Sequence, residues 1–392
     1  MQDIVVVDAV RTATGRFGGI FTDISAVKLA DVSLRALIRR SGVCFEEIDE
    51  VIMGMVYQGG AGANPARQVA VSAGLPYAVP ALTINQLCAS GLRAVGLAWE
   101  SLQFERSDVV VAGGMENMSQ VPFALYNQRW GKRLGHSELK DLMLIDGLWD
   151  CFYDCHMGTT AENLASKYKI TRDEQDQFAI MSQKRWFSAN SKGLFVDEII
   201  PVEVTMSGDS ISHLVDEHPR PTTTIEDLEK LKPAFKSNGT VTAGNAAGIN
   251  DGAATLLMMR ENTARSTNQK PLVYLRDVVS VGVDPKIMGI GPAPAISKLL
   301  DRNGMVLSDV GRFEINEAFA AQSLAVGREL DLDWKSVNIL GGGIAMGHAV
   351  GASGARIATT LIYEMLRSRE RFGIASLCVG GGMGIAALFE LH

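Results

Sequence analysis

Within Asn85-Gln-Leu-Cys-Ala-Ser-Gly91, a cysteine precedes a helical run that continues to Phe104, and the strand-like Val109-Val-Val-Ala-Gly-Gly-Met115 follows. The same order returns near the other end of the chain. There Ala352-Ser-Gly354 opens a helical run, and Ala375-Ser-Leu-Cys-Val-Gly-Gly-Gly-Met383 follows it. Helices that alternate with short buried strands are typical of a sheet covered by helices. We therefore predict an α/β fold made from two copies of one unit, with a chance likeness between two glycine-ended strands as the alternative.

The same alternation extends outward from both copies. Short apolar runs predict strands at residues 4–7, 50–55, 82–85, 109–112, 312–315, 374–378 and 384–390. Helical periodicity predicts helices at residues 26–41, 66–73, 91–104, 318–330 and 352–367. Residues 120–248 differ: they contain polar stretches, helical runs at 160–168 and 172–189, and a capping box from Thr171 to Glu174. We interpret them as an insertion that covers the substrate.

The composition is that of an ordinary globular protein. The chain has 392 residues, of which 47% are hydrophobic and 21% charged, so two or three packed domains are expected. The formal charge of −7 argues against generic binding to nucleic acid or to an anionic membrane. No apolar run reaches the ~20 residues that span a bilayer, and the first residues resemble a strand rather than a signal peptide. Five mostly isolated cysteines argue against a disulfide framework, so we expect a cytoplasmic protein.

Two further clusters carry weaker signals. Residues 129–140 hold four basic residues against Glu138, a pattern that favours a solvated face or a subunit contact over a ligand clamp. Cys151, Cys155 and His156 lack a second ligand pair at zinc-finger spacing, so no metal site is expected. The glycine runs match neither the phosphate loop nor the dinucleotide-binding pattern.

Four side chains stand at predicted strand ends, turns or helix starts, where α/β sheets bind ligands. Cys88 precedes a helix, where the dipole and free N–H groups lower a cysteine pKa and favour a nucleophilic thiolate. His348 lies in a glycine-rich turn, and Cys378 ends a strand before three glycines. Asn316 directly follows a strand. Each alone has a structural alternative, as a core cysteine, an ordinary histidine or an N-cap asparagine. Together they predict acyl transfer through a cysteine nucleophile.

Seven motifs carry a resemblance to a known family. They are the Cys88 stretch, Gly113-Gly-Met-Glu-Asn-Met-Ser119, His156-Met-Gly-Thr-Thr-Ala-Glu-Asn163, Gly239-Thr-Val-Thr-Ala-Gly-Asn245, Asn316-Glu-Ala-Phe-Ala320, Gly347-His348 with Gly351-Ala-Ser-Gly354, and Cys378-x-Gly-Gly-Gly382. In order and spacing they resemble the thiolase family, from the first strand to the last residues. The resemblance implies a five-layered αβαβα fold with two duplicated halves, residues 1–119 with 249–270 and residues 271–392. It also implies a loop domain at residues 120–248 and a homotetramer.

The resemblance further implies the reversible Claisen condensation of two acetyl-CoA to acetoacetyl-CoA and CoA. Cys88 would attack the acyl carbonyl and hold the acetyl group as a thioester, and His348 would take its proton. His348, with a water held by Asn316, would polarise the thioester oxygen of the second acetyl-CoA. Cys378 would remove the α-proton in condensation. The backbone N–H groups of Cys88 and Gly380 would form a second oxyanion hole.

For CoA, which is expected as a substrate and not as a tightly bound cofactor, the resemblance implies a mostly apolar wall with Arg220 toward the nucleotide end. Its residues are Leu148, His156, Met157, Arg220, Phe235, Ala243, Ala247, Met288, Ala318 and Phe319. Two positions depart from the family pattern. Ala349 stands where a proline usually follows the histidine, which leaves His348 less restrained. Ala247 stands where a serine hydroxyl often contacts pantetheine.

Three alternatives stay open. A decarboxylating ketoacyl synthase shares the fold, but the Cys378-x-Gly-Gly-Gly motif argues against it. A 3-ketoacyl-CoA thiolase for longer chains carries the same motifs, whereas Met157 and Met288 would narrow the acyl pocket and favour the four-carbon substrate. A non-catalytic acyl-CoA-binding relative would bind CoA without turnover, and Ala349 is its only support.

Overall fold

Nine strands line up in one continuous hydrogen-bonded order in the computed structural model, which describes residues 2–206 and 208–391. They are β1 (Ile4–Thr12), β2 (Glu50–Gly54), β3 (Ala81–Ile84), β4 (Val109–Asn117), β5 (Asn250–Arg260), β6 (Val273–Gly282), β7 (Arg312–Ile315), β8 (Phe372–Val379) and β9 (Met383–Glu390). Two short strands, Gly15–Arg16 and Ile199–Ile200, pair with β5 and β1. The order across the sheet is β3-β2-β4-β5-β1-β6-β9-β8-β7.

The strand order repeats itself. In the first half, the first strand in the chain, β1, lies beside the last, β5, and then come β4, β2 and β3. In the second half, β6, β9, β8 and β7 follow the same rule. Val337 forms a parallel bridge with Phe313 of β7, where the counterpart of β3 belongs. The halves meet where β1 and β6 pair over two residues of each strand. The repeated topology confirms the predicted duplication.

Helices cover and separate the two half-sheets. They are α1 (Ala26–Ser41), α2 (Pro65–Ala73), α3 (Ser90–Gln103), α4 (Met157–Lys167), α5 (Arg172–Ser191), α6 (Ile225–Glu229), α7 (Glu261–Ser266), α8 (Pro292–Arg302), α9 (Ala320–Leu330), α10 (Gly343–Met346) and α11 (Val350–Ser368). Short 3₁₀ turns span Phe45–Glu47, Met118–Gln120, Pro285–Ile290 and Leu307–Asp309, and a π-turn spans Leu144–Leu148.

Alternation of side chains along the strands builds five layers. On β1, Val5 and Val7 pack with α1 and α2, whereas Ile4 and Val6 pack with α3 and α11. The same two helices pack against the inner face of the second half-sheet, whose outer face is covered by α4, α8 and α9. The order is therefore helices, sheet, α3 with α11, sheet, helices. This is the predicted αβαβα arrangement, with the two central helices shared by both halves.

The central helices touch through their backbones. A Cβ atom on Gly91 of α3 would lie 2.7 Å from the backbone nitrogen of Ala355, and one on Gly354 of α11 would lie 2.3 Å from that of Leu92. Real Cβ contacts are longer, so only glycine permits this approach. The close approach also fixes the distance between Cys88, which precedes α3, and His348, which precedes α11.

Gly354→Ala should destabilise the protein. The methyl group meets the backbone of Leu92, which cannot turn aside, and overpacking of this kind costs about 1–3 kcal/mol. The better helix propensity of alanine offsets only ~1 kcal/mol of that cost. Gly282→Ala is the matched control, because the nearest atom to its added Cβ lies 4.0 Å away. Thermal unfolding followed by circular dichroism should show a lower midpoint for Gly354→Ala alone. Equal midpoints for the two variants would contradict the proposed contact.

The structure adds elements that the sequence patterns did not predict. β5, β6 and α8 were not expected, although each predicted strand and helix is present with ends shifted by a few residues. β5 reads Asn-Asp-Gly-Ala-Ala-Thr-Leu-Leu-Met-Met-Arg, which contains few β-branched residues. Its place between β1 and β4 makes it a strand. The capping box of Thr171 and Glu174 at the start of α5 is confirmed.

The chain between β4 and β5 forms the expected polar insertion region around α4, α5 and α6. It begins with a hairpin of Phe123–Leu125 and Leu139–Asp141, whose connecting residues include Trp130 and Leu134, 93% and 90% exposed. It also contains the paired strands Val202–Met206 and Asp209–His213, and the short pair Trp149–Asp150 and Cys155–His156. In the part of the chain that the structure describes, no helix is both long and apolar enough to cross a membrane.

Candidate active site

Cys88 lies on a constrained loop two residues before α3. Leu87 has a φ of 48°, a left-handed conformation that is costly for a branched residue. Asn85 Oδ1 accepts from the Leu87 N–H at 2.8 Å, and Ser90 Oγ donates to the Leu87 carbonyl at 2.7 Å. The Gln86 N–H donates to the same Ser90 oxygen at 2.9 Å. These bonds hold the strained turn, and the turn presents the half-buried Cys88 to the space between the two halves.

The surroundings of the Cys88 sulfur differ from the prediction. Burial raises the pKa of the thiol to about 11, although the N–H groups of Gly380 and of Cys88 itself donate to the sulfur and lower that pKa. The nearby Glu116 carboxylate raises it further. The expected low pKa is therefore wrong for the resting protein, because desolvation outweighs the helix start. Cys88 is therefore a thiol at rest and needs a base to lose its proton. Two backbone N–H groups already donate to the sulfur, where the negative charge of a thiolate would form.

His348 has an unprotonated ring nitrogen. Ser353 Oγ donates its single hydrogen to the Ala349 carbonyl at 2.8 Å and lies 2.6 Å from His348 Nδ1. Nδ1 must therefore carry the ring hydrogen, which leaves a lone pair on Nε2. Nε2 lies 3.4 Å from Asn316 Nδ2. Burial, with a smaller effect from Arg356, lowers the pKa of His348 to about 3, so the imidazole is neutral.

The backbone of His348 is held from the other half of the fold. Its N–H donates to Asn250 Oδ1 at 3.0 Å, and Asn250 Nδ2 donates to the Gly15 carbonyl at 2.9 Å. Gly347 has a φ of 91°, and a Cβ atom there would overlap the Asn250 side chain. Neither Asn250 nor Ser353 was predicted as a site residue. Ser353 lay inside a noted motif, but only the fold shows which ring atom it contacts.

Ala349 stands where the family pattern has proline. Its φ is −69°, within the range that proline imposes, and it caps α11. The residue before it, His348, is paired in a bridge with Ile249. At the second departure, the half-buried Ala247 donates its N–H to the Ala318 carbonyl at 3.0 Å.

Asn316 and Cys378 are the other two residues that the sequence predicted as catalytic. The Asn316 N–H donates to the Ser376 carbonyl at 2.9 Å, which ties the end of β7 to β8. Asn316 Oδ1 is buried and has no hydrogen-bond partner within residues 2–206 and 208–391. Cys378 is the second-last residue of β8 and is fully buried. Burial and the charge of Cys88 raise the pKa of its thiol, so the two sulfurs are electrostatically coupled.

A wall of aromatic rings approaches the cysteines. His156 caps α4 by accepting the Gly158 N–H on Nδ1 at 3.0 Å. Its ring stacks on Phe235, with centroids 4.6 Å apart, and Phe235 meets Phe319 edge to face at 6.1 Å. Gly158 lies directly beneath Phe235, where a Cβ atom would clash at 2.3 Å. This wall offers flat apolar surface with one ring nitrogen, His156 Nε2, left for a polar contact.

Most of the other predicted CoA residues join this wall. Met157 lies against Gly380, since a Cβ atom added to Gly380 would be 2.8 Å from Met157 Cε. Met288 and Ala318 share the cluster that contains Met157 and Phe319. Leu148 packs in the cluster that contains Cys88. Two predicted residues stand apart at the surface: Ala243 is exposed, and so is Arg220.

A half-buried cysteine, a neutral histidine with an unprotonated nitrogen and converging N–H donors are the kinds of group that acyl transfer through a cysteine uses. The thiolase N-terminal domain family matches residues 4–262, and the thiolase C-terminal domain family matches residues 269–391. The chain therefore belongs to the thiolase family and is an acyltransferase.

Full-length relatives agree. The acetyl-CoA acetyltransferase of Allochromatium vinosum is 49% identical over 390 residues, 99% of each chain. The crystal structure of the Bacillus anthracis acetyl-CoA acetyltransferase superposes with a TM-score of 0.97 at 46% identity, covering 100% of this chain and 99% of that one. Human mitochondrial 3-ketoacyl-CoA thiolase in complex with CoA gives a TM-score of 0.96 at 42% identity, covering 100% and 98%.

Proposed function

We propose that this protein is an acetyl-CoA C-acetyltransferase, which joins two acetyl-CoA into acetoacetyl-CoA and CoA and runs the reverse thiolysis. The observation that carries the proposal is the set of groups around Cys88: two N–H donors at its sulfur and, just before α11, a neutral His348 whose Nε2 is unprotonated. The names of the relatives from A. vinosum and B. anthracis support the substrate.

In the first half-reaction, His348 Nε2 takes the thiol proton as the Cys88 sulfur attacks the acetyl carbonyl. The N–H groups of Cys88 and Gly380 hold the charge that develops on the carbonyl oxygen. The carbon–sulfur bond to CoA breaks, and the departing CoA sulfur takes the proton from His348. Cys88 is left as an acetyl thioester. Neutral imidazole is the form that this step needs, and burial supplies it.

In the second half-reaction, Cys378 acts in its thiolate form, a minor form because burial raises the pKa of this thiol, and takes the α-proton of a second acetyl-CoA. Asn316 and His348 stabilise the enolate oxygen through a bound water. The enolate carbon attacks the acetyl carbonyl on Cys88, the new carbon–carbon bond forms, and the Cys88 sulfur leaves with the proton from Cys378.

We assign CoA to the aromatic wall and Arg220 to its nucleotide end. CoA is a substrate here, with no tightly bound cofactor, and the protein is cytoplasmic. We further propose a homotetramer, in which the exposed Trp130 and Leu134 and the basic residues 129–140 form a subunit contact. Exposed large apolar residues grouped on one hairpin are typical of such a surface.

A second candidate is a 3-ketoacyl-CoA thiolase for longer chains, favoured by the close superposition on the human mitochondrial 3-ketoacyl-CoA thiolase, with a TM-score of 0.97. The two functions differ in the acyl pocket. Met157 and Met288 are both buried near the site and would limit chain length.

Thiolysis of acetoacetyl-CoA should exceed that of a six-carbon or longer 3-ketoacyl-CoA by roughly tenfold or more in kcat/KM, because added methylenes meet Met157 and Met288. Steady-state assays with free CoA test this. Met157→Ala should narrow the ratio, and Cys44→Ala, at an exposed cysteine, should leave it unchanged. A preference for the longer substrate would move the protein to the second candidate. The absence of turnover with either substrate would contradict both.

A further inference from the structure

Glu116 is a buried acid that the reaction above does not use. It is the second-last residue of β4 and has no exposed surface. Its carboxylate accepts three backbone N–H groups: Val56 at 3.0 Å and Gly351 at 2.9 Å on Oε2, and Tyr57 at 3.2 Å on Oε1. A carboxylate that accepts several backbone hydrogen bonds is held in a single orientation.

The three donors belong to the surroundings of two catalytic groups. Val56 and Tyr57 follow β2 and share a cluster with Val350, against which Cys88 packs. Gly351 is the second residue of α11, three positions after His348. A Cβ atom on Gly351 would lie 2.7 Å from Glu116 Oε2, so glycine is what allows this bond. One carboxylate therefore joins the loop beside Cys88 to the helix that follows His348.

The groups that act electrostatically around this carboxylate are acids. Asp251 on β5 raises the pKa of Glu116, and Glu116 in turn raises that of Tyr57 and of Cys88, which is coupled to Cys378. Burial raises the pKa of Glu116 itself to about 7, against the effect of its three N–H donors. The three N–H donors are divided between both carboxylate oxygens, and an amide offers only one acceptor oxygen, so this bridge calls for a carboxylate.

We propose that Glu116 is a positioning residue of the acyl transfer, which fixes the loop of Val56 and Tyr57 beside Cys88 relative to the helix that follows His348. Its negative charge also adds to the effect of burial in opposing ionisation of Cys88. This inference rests on the proposed function for its catalytic half. Its electrostatic half depends only on the reactivity of Cys88 in the free enzyme.

The test compares Glu116→Gln with the wild-type enzyme in two assays. Thiolysis of acetoacetyl-CoA should lose roughly 10- to 100-fold in kcat with KM changed by less than about threefold, because a small misplacement of reacting groups is costly. The pH profile of Cys88 alkylation by iodoacetamide, followed by peptide mass spectrometry, should move about one unit to lower pH, because a negative charge beside the sulfur is gone. Unfolding would also expose Cys88 and lower the pKa of its thiol, so both assays are read on protein whose circular-dichroism spectrum and thermal midpoint match those of the wild type.

Two further variants complete the design. Glu116→Asp keeps the charge but is too short for all three donors, so its kcat should fall while the alkylation profile stays at the wild-type pH. Glu364→Gln removes another buried carboxylate at the far end of α11 and should change neither readout. A kcat within about twofold of wild type in either Glu116 variant, or an unmoved profile in Glu116→Gln, would overturn the proposal. If wild-type protein shows no thiolysis, the proposed function fails, and the alkylation profile still decides the electrostatic half.

Discussion

Replacement of Cys88 with alanine is expected to reduce acetoacetyl-CoA thiolysis by roughly 10⁴-fold or more, since loss of a nucleophile removes the covalent route altogether. The N–H groups of Cys88 and Gly380 would remain in place, so CoA binding should survive. Spectrophotometric turnover and isothermal titration with CoA separate the two effects. The expected pattern is binding close to wild type with no measurable turnover.

Two controls make this result specific. Cys44→Ala removes an exposed cysteine and should keep full activity. Incubation with acetyl-CoA should add one acetyl group to wild-type protein, on the peptide that contains Cys88, and none to Cys88→Ala. Residual turnover near the wild-type rate, or acetylation on another residue, would remove Cys88 from the role of nucleophile.

Cys378→Ala should separate the two half-reactions. The variant keeps Cys88, the N–H donors and His348, so acetyl-CoA should still acetylate Cys88. Without a base for the α-proton, condensation should fall by roughly 10³-fold, within the range typical of a lost general acid or base. Cys378 is fully buried, and alanine leaves only a small space behind. Acetyl-enzyme should therefore accumulate.

Intact-protein mass spectrometry at timed intervals checks this, beside an assay of acetoacetyl-CoA formed. An acetylated variant that makes no acetoacetyl-CoA is the expected result. An unacetylated variant would instead place Cys378 in the first step, as the acid that protonates the departing CoA sulfur. Normal condensation would show that Cys378 is a core cysteine.

Much of the fold was predictable from local patterns. The likeness of residues 89–91 to 352–354 and of residues 109–115 to 375–383 predicted the duplication, which the repeated strand order confirms. β5 could not be predicted, because its leucines and methionines have little preference for strands. Only its pairing with the neighbouring strands makes it one. β6 and α8 differ from β5, because the valines and tyrosine of β6 favour a strand and the first proline of α8 favours a helix start.

The candidate site was also predictable only in part. Residue type and motif position indicated Cys88, His348, Cys378 and Asn316 as candidates, and the structure brings them to the region between the halves. The contacts that set their protonation states could not be read from the sequence. Ser353 contacts one ring nitrogen of His348, and backbone N–H groups contact the Cys88 sulfur. The low pKa predicted for Cys88 failed for a related reason: burial depends on the whole fold, whereas a helix start is visible in the sequence.

The shared central layer has a consequence for the origin of the protein. Each half-sheet uses both α3 and α11 to cover its inner face, so neither half has a complete interior of its own. A chain of half this length, folded in the same way, would expose that face to water until it met a second copy. The repeated strand order and the two-residue pairing of β1 with β6 are the arrangement that the fusion of two such subunits would produce.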